Sequence, residues 1–399
     1  MLSKIRLGLI VLLAANTPVL ADENPGVTAT EVSIGAVFPF SGPASAVGLT
    51  GKAVTAYVQS INDRGGINGR KINYIAYDDA YSPPKAVEHV RKLVESDGVA
   101  FMFSQLGTPG NTATVKYLNV KGVPGIGIIS GSSKFTNVGD YPLTTTSLVS
   151  FEIEGKIYAK YLTKALPSGK YAILYQNDDL GKDYVKAFKS FLGRDFETRV
   201  VTATYELSDP TIESQVVNLR SSGADALVVA GTPKFAAQAI RKVAEIGWKP
   251  LLIVNYPSSS VGGVLKPAGL DKSVGVVAGT MLMDPTDPQW NENSGMKTYR
   301  KFVETYLPGI DISDANYLLG YAQGMLLEKI LQQCGDDLSR ANIIKQARNL
   351  KDVSLPVALP GIKVNTGRQV NMNFTQMRLQ RWNGTNWEQF GEVLDASSN

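Results

Sequence analysis

Two α/β lobes, each a parallel sheet wrapped by helices, follow from three observations. Apolar β runs and helical stretches alternate with regularity along the chain. The alternation halts near residues 143–148 and then resumes, which makes two successive series. The chain has 399 residues, too many for a single small core.

In the first series, "VSIGAVF" (32–38) reads as a strand and 47–64 as a helix. "INYIAYD" (72–78) is a strand, and "PPKAVEHVRKLVES" (83–96) a helix opened by proline, which the first turn tolerates. "VAFMFS" (99–104), 109–121 and "GIGIIS" (125–130) continue as strand, helix and strand. In the second series, strands at 171–176, 199–205, 226–230 and 251–255 alternate with helices at 151–165, 181–192, 211–222 and 233–246. The remainder is too little for a third lobe. It holds a β run, "VGVVAGTMLM" (274–283), helical patterns at 295–306 and 314–334, and "MRLQRWNGTNWEQFGEV" (377–393). The last reads as a β-hairpin turning at Asn383-Gly384. These pieces must be shared between the lobes, which predicts several chain crossings.

Composition narrows the function classes. Charged residues at 19% and apolar residues at 44% are ordinary for a globular protein. The net charge is +4, with no long basic run, which argues against nucleic acid as a partner. Lys4 and Arg6 precede the apolar "LGLIVLLAA" (7–15), and "VLA" (19–21) puts small residues at a cleavage site. Residues 1–21 therefore read as a cleavable signal peptide. Cys334 is the single cysteine, so no intrachain disulfide forms and no cysteine follows Ala21 to carry lipid. A diffusible periplasmic protein, not a lipoprotein, is the expectation. The only histidine, His89, falls inside the helix at 83–96, away from every strand-end loop, and Cys334 has no evident partner. Nucleophilic catalysis usually needs such a residue beside a base, so an enzyme is not expected.

Three stretches, "VFPFSGPASAVG" (37–48), "INDRGGINGRKINYIAYDDAYSPPKAV" (61–87) and "YQNDDLGKDY" (175–184), resemble the periplasmic solute-binding proteins of branched-chain amino acid (leucine/isoleucine/valine-type) ABC importers. The likeness runs from about Thr30 to the C-terminus. It implies the type I periplasmic-binding fold: two Rossmann-like lobes with parallel sheets, joined by three hinge crossings and closing on a ligand. The crossings would fall near 143–149, 279–285 and 352–360. The lobes would then be 27–146 plus 284–356, and 147–283 plus 357–399. The implied partners are a small-molecule ligand with a carboxylate, a branched-chain amino acid or a related solute, and an ABC permease in the inner membrane. No cofactor is implied, and a monomer is expected.

In open α/β sheets, ligands bind beyond the carboxyl ends of the strands. In the first lobe that rule selects "FSGPAS" (40–45), with Ser41, and "SQLGTPGN" (104–111) and "SGSSKFTN" (130–137). Backbone N–H groups at a helix start, with hydroxyls beside them, suit a carboxylate. The resemblance places the ligand's carboxylate against the latter two loops, at Gln105, Gly107, Thr108, Ser130, Gly131 and Ser132. No dinucleotide or P-loop motif is present in these loops. In the second lobe the rule selects "QNDDLG" (176–181), "AGTPK" (230–234) and "VNYPSSS" (254–260). They contribute Leu180, Gly231, Thr232 and Tyr256 as candidates. Asp178 or Asp179 is expected to cap the helix that begins near Gly181, and no EF-hand spacing supports a metal there.

Two departures from the family pattern bear on the ligand. Amino-acid-binding relatives hold the ammonium group with an acid in the loop after the strand at 251–255, where this chain has "YPSSS". Relatives often carry an aromatic residue where this chain has Val47. Both lean toward a carboxylate without an amine, such as an aromatic or short aliphatic acid, unless Asp78, Asp79 or Glu206 supplies the missing charge. A ligand-sensing subunit for a receptor is the rival function for the same fold.

Overall fold

The computed structural model describes residues 24–367 and 371–395; the signal peptide expected at 1–21 lies outside them. The first series folds as β1 (Glu31–Phe38), α1 (Ser45–Asp63), β2 (Lys71–Asp78), α2 (Pro83–Glu95), β3 (Phe101–Phe103), α3 (Thr108–Val120), β4 (Gly125–Ile128) and β5 (Thr144–Thr146). Its five strands pair in parallel in the order β2-β1-β3-β4-β5. Strands β1, β3 and β4 are almost wholly buried, which is why they read as continuous apolar runs.

The second series folds as α4 (Phe151–Ala165), β6 (Tyr171–Gln176), α5 (Asp179–Leu192), α6 (Phe196–Arg199), β7 (Val200–Tyr205), α7 (Glu213–Ser221), β8 (Ala226–Ala230), α8 (Pro233–Glu245), β9 (Leu251–Val254), α9 (Lys266–Ala268) and β10 (Val277–Thr280). The chain then returns to the first sheet as α10 (Ser294–Tyr306), α11 (Ala315–Cys334) and α12 (Arg340–Ala347). It ends as the hairpin β11 (Gln376–Trp382) and β12 (Trp387–Asp395) on the second sheet. The order there is β12-β11-β10-β9-β8-β6-β7. The hairpin is antiparallel, so this sheet is mixed at one edge.

Helix α11 packs closely on α1 because two glycines one turn apart face it. A Cβ on Gly320 would lie 2.3 Å from the Thr50 carbonyl oxygen, and one on Gly324 would lie 2.3 Å from the Tyr57 ring. Tyr57, Phe302 of α10 and Tyr321 of α11 cluster there, with ring centroids 4.8 to 5.8 Å apart. Arg340 of α12 adds hydrogen bonds to the carbonyls of Val99 and Ala100.

Between the two sheets, extended segments run side by side. Asn373 N–H donates to the Thr146 carbonyl at 2.8 Å, Met283 N–H to Val357 at 3.0 Å and Leu359 N–H to Met281 at 3.0 Å. The carboxyl ends of the parallel strands in both sheets point into the space that these segments span.

Candidate ligand-binding cleft

Loops from both sheets line a partly open cleft between the lobes, a concave and mostly apolar place of the kind that holds small molecules. Gly107, Thr108, Leu180, Gly231, Thr232 and Tyr256 all line it. So does Val47. The remaining candidates lie elsewhere. Ser41 is exposed outside the cleft, where its N–H donates to Asp78 Oδ1 at 3.1 Å. Gln105 is buried behind the cleft, and neither of its side-chain polar atoms has a partner among the described residues. Ser130 Oγ lies 2.8 Å from Thr108 Oγ1, one step back from the cavity. The Gly131 carbonyl accepts the N–H of Phe151, and the buried Ser132 hydroxyl has no partner among the described residues.

Several lining residues are not among the sequence candidates, although Tyr81 follows the carboxyl end of β2 and so falls under the strand-end rule. Tyr81 sits in the "DDAYSPP" turn with φ 61°, after Ala80 at φ 50°. Two successive non-glycine residues in the left-handed region are strained. Asp78 Oδ1 accepts from Ala80 N–H and Asp79 Oδ1 from Tyr81 N–H, which holds the turn. Burial pushes the Asp79 carboxyl up to about 6. The Tyr81 ring fixes Gly107: a Cβ there would lie 2.8 Å from Tyr81 Cε2, and its φ is 112°. Ala315, Asn316 and Leu319 arrive from the start of α11, more than 200 residues further on.

The cleft is ringed by helix N-termini. Thr108, Phe151, Leu180, Pro233 and Ala315 lie in the first turns of α3, α4, α5, α8 and α11. Ser150, Asp178 and Asp314 cap α4, α5 and α11 with their own side chains. Asp178 Oδ1 accepts from Leu180 N–H at 2.9 Å and Gly181 N–H at 3.3 Å, and burial pushes its carboxyl up to about 6. In contrast, α3 and α8 have no side-chain cap at Gly107 and Thr232, and the buried Thr232 hydroxyl has no partner among the described residues. One start without a side-chain cap thus reaches the cleft from each lobe; Pro109 and Pro233 each remove one N–H there, and the amides that remain favour an anion.

Among the described residues, no side chain that lines the cleft is charged. Asp78 and Asp79 serve the Tyr81 turn, and Glu206 accepts from Asn177 on the surface. A small neighbouring pocket shares Tyr256, Ser259 and Ala315 with the cleft, and among the described residues Asp284 is the carboxylate that lines it. Glu154 lies beneath the Tyr256 wall. Its carboxylate accepts Tyr158 OH at 2.5 Å, Tyr184 OH at 2.8 Å and Tyr256 N–H at 2.7 Å. Among the described residues, no group of three His, Cys, Asp or Glu side chains could hold a metal. His89 faces the Asp78 carbonyl at 3.1 Å, and the buried Cys334 thiol is pushed up to about 12 by burial.

The lobes touch across the cleft. Ser133 meets Asp183, Thr112 Oγ1 donates to Asp179 at 3.1 Å, and Lys134 pairs with Asp179 at 3.5 Å. On the other side, Ser260 donates to Asp314 at 3.1 Å and Lys266 pairs with Asp311 at 2.8 Å.

Comparison with known proteins places this architecture. The family model described as periplasmic binding protein matches residues 31–386. A "Leu/Ile/Val-binding protein homolog 7" of Brucella suis is 25% identical over 364 residues, covering 88% of this chain and 86% of its own. The "Leu/Ile/Val-binding protein" of Escherichia coli K12 is 24% identical over 304 residues, covering 72% and 81%. Among solved structures, a branched chain amino acid ABC transporter protein from Thermus thermophilus with bound valine superposes with a TM-score of 0.83 at 13% identity, covering 93% of this chain and 98% of its own. A fatty acid ABC transporter substrate-binding protein from Thermomonospora curvata gives 0.77 at 16%, covering 94% and 95%.

Proposed function

We propose, from the fact that the chain belongs to the periplasmic binding protein family, that it is the ligand-capturing component of an ABC importer. It takes a small carboxylate-bearing solute between its lobes and delivers it to a membrane permease. The lobes are 27–146 plus 284–356, and 147–283 plus 357–399, and they close as a hinge around the segments that run between the sheets. The mature protein is periplasmic and free of lipid, and it performs no chemistry on its ligand.

The preferred ligand is a carboxylic acid with an apolar body and no α-ammonium group. The observation that carries this reading is the lining of the cleft. It joins two uncapped helix starts and an unpartnered threonine hydroxyl to walls such as Leu106, Ile129, Leu148 and Leu319, with no charged side chain. A carboxylate finds donors there. A buried ammonium beside it finds no carboxylate among the described lining residues, since Asp178 and Asp314 at the edge are committed to helix caps, and its burial is costly.

Calorimetry on protein refolded to strip carried-over ligand tests this. L-Leucine and L-valine are compared with 4-methylpentanoate and benzoate. Tighter binding of the amine-free acids is expected. Tight binding of leucine with none of the acids would return the protein to amino acid uptake.

A further inference from the structure

We propose that Asp183 is a positioning residue that locks the serine loop of the first lobe against the second lobe in the closed arrangement, and that this contact draws the lobes together in the ligand-free protein as well. Asp183 lies in the second turn of α5 and is 7% exposed. Its Oδ2 accepts the backbone N–H of Ser133 at 2.7 Å, and its Oδ1 accepts the Ser133 hydroxyl at 2.8 Å. Ser133 follows β4 of the first sheet, whereas α5 follows β6 of the second. Two charge-assisted bonds from one residue fix orientation as well as distance.

The contact reaches the cleft through a short chain of bonds. Ser132 N–H donates to Ser130 Oγ at 3.2 Å, and Ser130 Oγ meets Thr108 Oγ1, which lines the cavity. Asp183 itself is not part of the lining. It sets the position of the loop whose hydroxyls stand behind the uncapped start of α3. The neighbouring Lys134–Asp179 pair adds little, because both side chains are more than a third exposed. The acid-rich stretch 178–183 is thereby accounted for: one helix cap and two acceptors that face the other lobe. The inference rests on the reading that the lobes open and close around a ligand.

The test uses Asp183→Ala, Asp183→Asn, Ser133→Gly and the Asp183→Ala/Ser133→Gly double variant. Small-angle X-ray scattering of the ligand-free protein reports closure. Stopped-flow dissociation is measured with 4-methylpentanoate and with L-leucine. Asp183→Ala is expected to raise the radius of gyration and to speed dissociation roughly tenfold or more, with association unchanged. Asp183→Asn keeps one acceptor oxygen and recovers part of the loss. In the Ser133→Gly background, Asp183→Ala adds less than it does alone. A lowered melting temperature with an unchanged radius of gyration would reduce Asp183 to a structural residue and overturn the proposal. If neither probe binds, the ligand class proposed above fails, while scattering still decides the latch: expansion supports it and an unchanged radius overturns it.

Discussion

Tyr256, a wall of the cleft, donates its backbone N–H to Glu154 Oε1 at 2.7 Å. Glu154 is 1% exposed, and burial outweighs its three donors, pushing its carboxyl from the ordinary 4.5 up to about 7. The folded state therefore binds this proton more tightly than the unfolded chain does. Between about pH 4.5 and pH 7, stability falls as pH rises, by up to roughly 3 kcal/mol for a shift of this size. Asp79 and Asp178, each pushed up to about 6, act in the same direction. Thermal melts from pH 5 to pH 8 should show the melting temperature dropping toward pH 8. Glu154→Gln should flatten the profile. Parallel profiles for the two proteins would show that Glu154 does not carry the slope.

Asp178 caps α5 with two N–H bonds, so Asp178→Ala should cost about 1 kcal/mol in urea unfolding. Because this carboxylate serves a helix end, EDTA should leave the melting temperature of the wild type unchanged. A drop on chelation would reopen the metal reading of the Asp178-Asp179 pair.

Much of this fold could be read in the sequence because local pattern and tertiary role agree. Strands β6 and β8 and helix α4 match their expected limits to the residue, each bounded by polar or glycine-bearing turns. β5 was not legible: "TTT" (144–146) is three residues long and gains its place only by pairing with β4 and with the 371–373 segment. α12, "RANIIKQA", was missed because it is short and only weakly amphipathic, and it is held by packing on α11. The strand-end rule found the cleft residues that follow strands. Tyr81 also follows a strand, β2, but reaches the cleft by a strained turn that the candidate list left out, and Asn316, brought in by a helix distant in sequence, lies beyond the rule. Glu154 is not among the residues that the sequence singles out. Its one local signal is Tyr158, four residues on, and the other partners come from tertiary packing.

Removing a hydroxyl behind the carboxylate site should weaken binding without unfolding the protein. Thr108→Ala and Ser130→Ala each break the 2.8 Å contact between these residues. A loss of roughly tenfold in affinity for 4-methylpentanoate is expected for each, with normal circular dichroism. Unchanged affinity in both variants would move the ligand's carboxylate away from the α3 end of the cleft.

Gly107→Ala tests whether the Tyr81 turn shapes the cleft. The new methyl meets the Tyr81 ring, and the residue must hold a φ of 112°. A destabilisation of about 1–3 kcal/mol is expected from strain and overpacking. Affinity should fall further than Thr108→Ala lowers it, because both the ring and the start of α3 are displaced. A stable variant with intact binding would mean that the turn yields freely.

Val47→Phe asks whether cleft width selects the ligand. Val47 is 7% exposed and lines the cavity among apolar neighbours, so a phenyl ring has nowhere to go except into the ligand's space. Affinity for benzoate should fall at least tenfold, since steric discrimination in apolar pockets commonly reaches that size. Propanoate, which needs less room, should lose little. The informative quantity is the benzoate-to-propanoate ratio of dissociation constants, because a general weakening from repacking moves both acids together. A ratio equal to that of the wild type would place the apolar body of the ligand elsewhere, toward Tyr256 and Leu180.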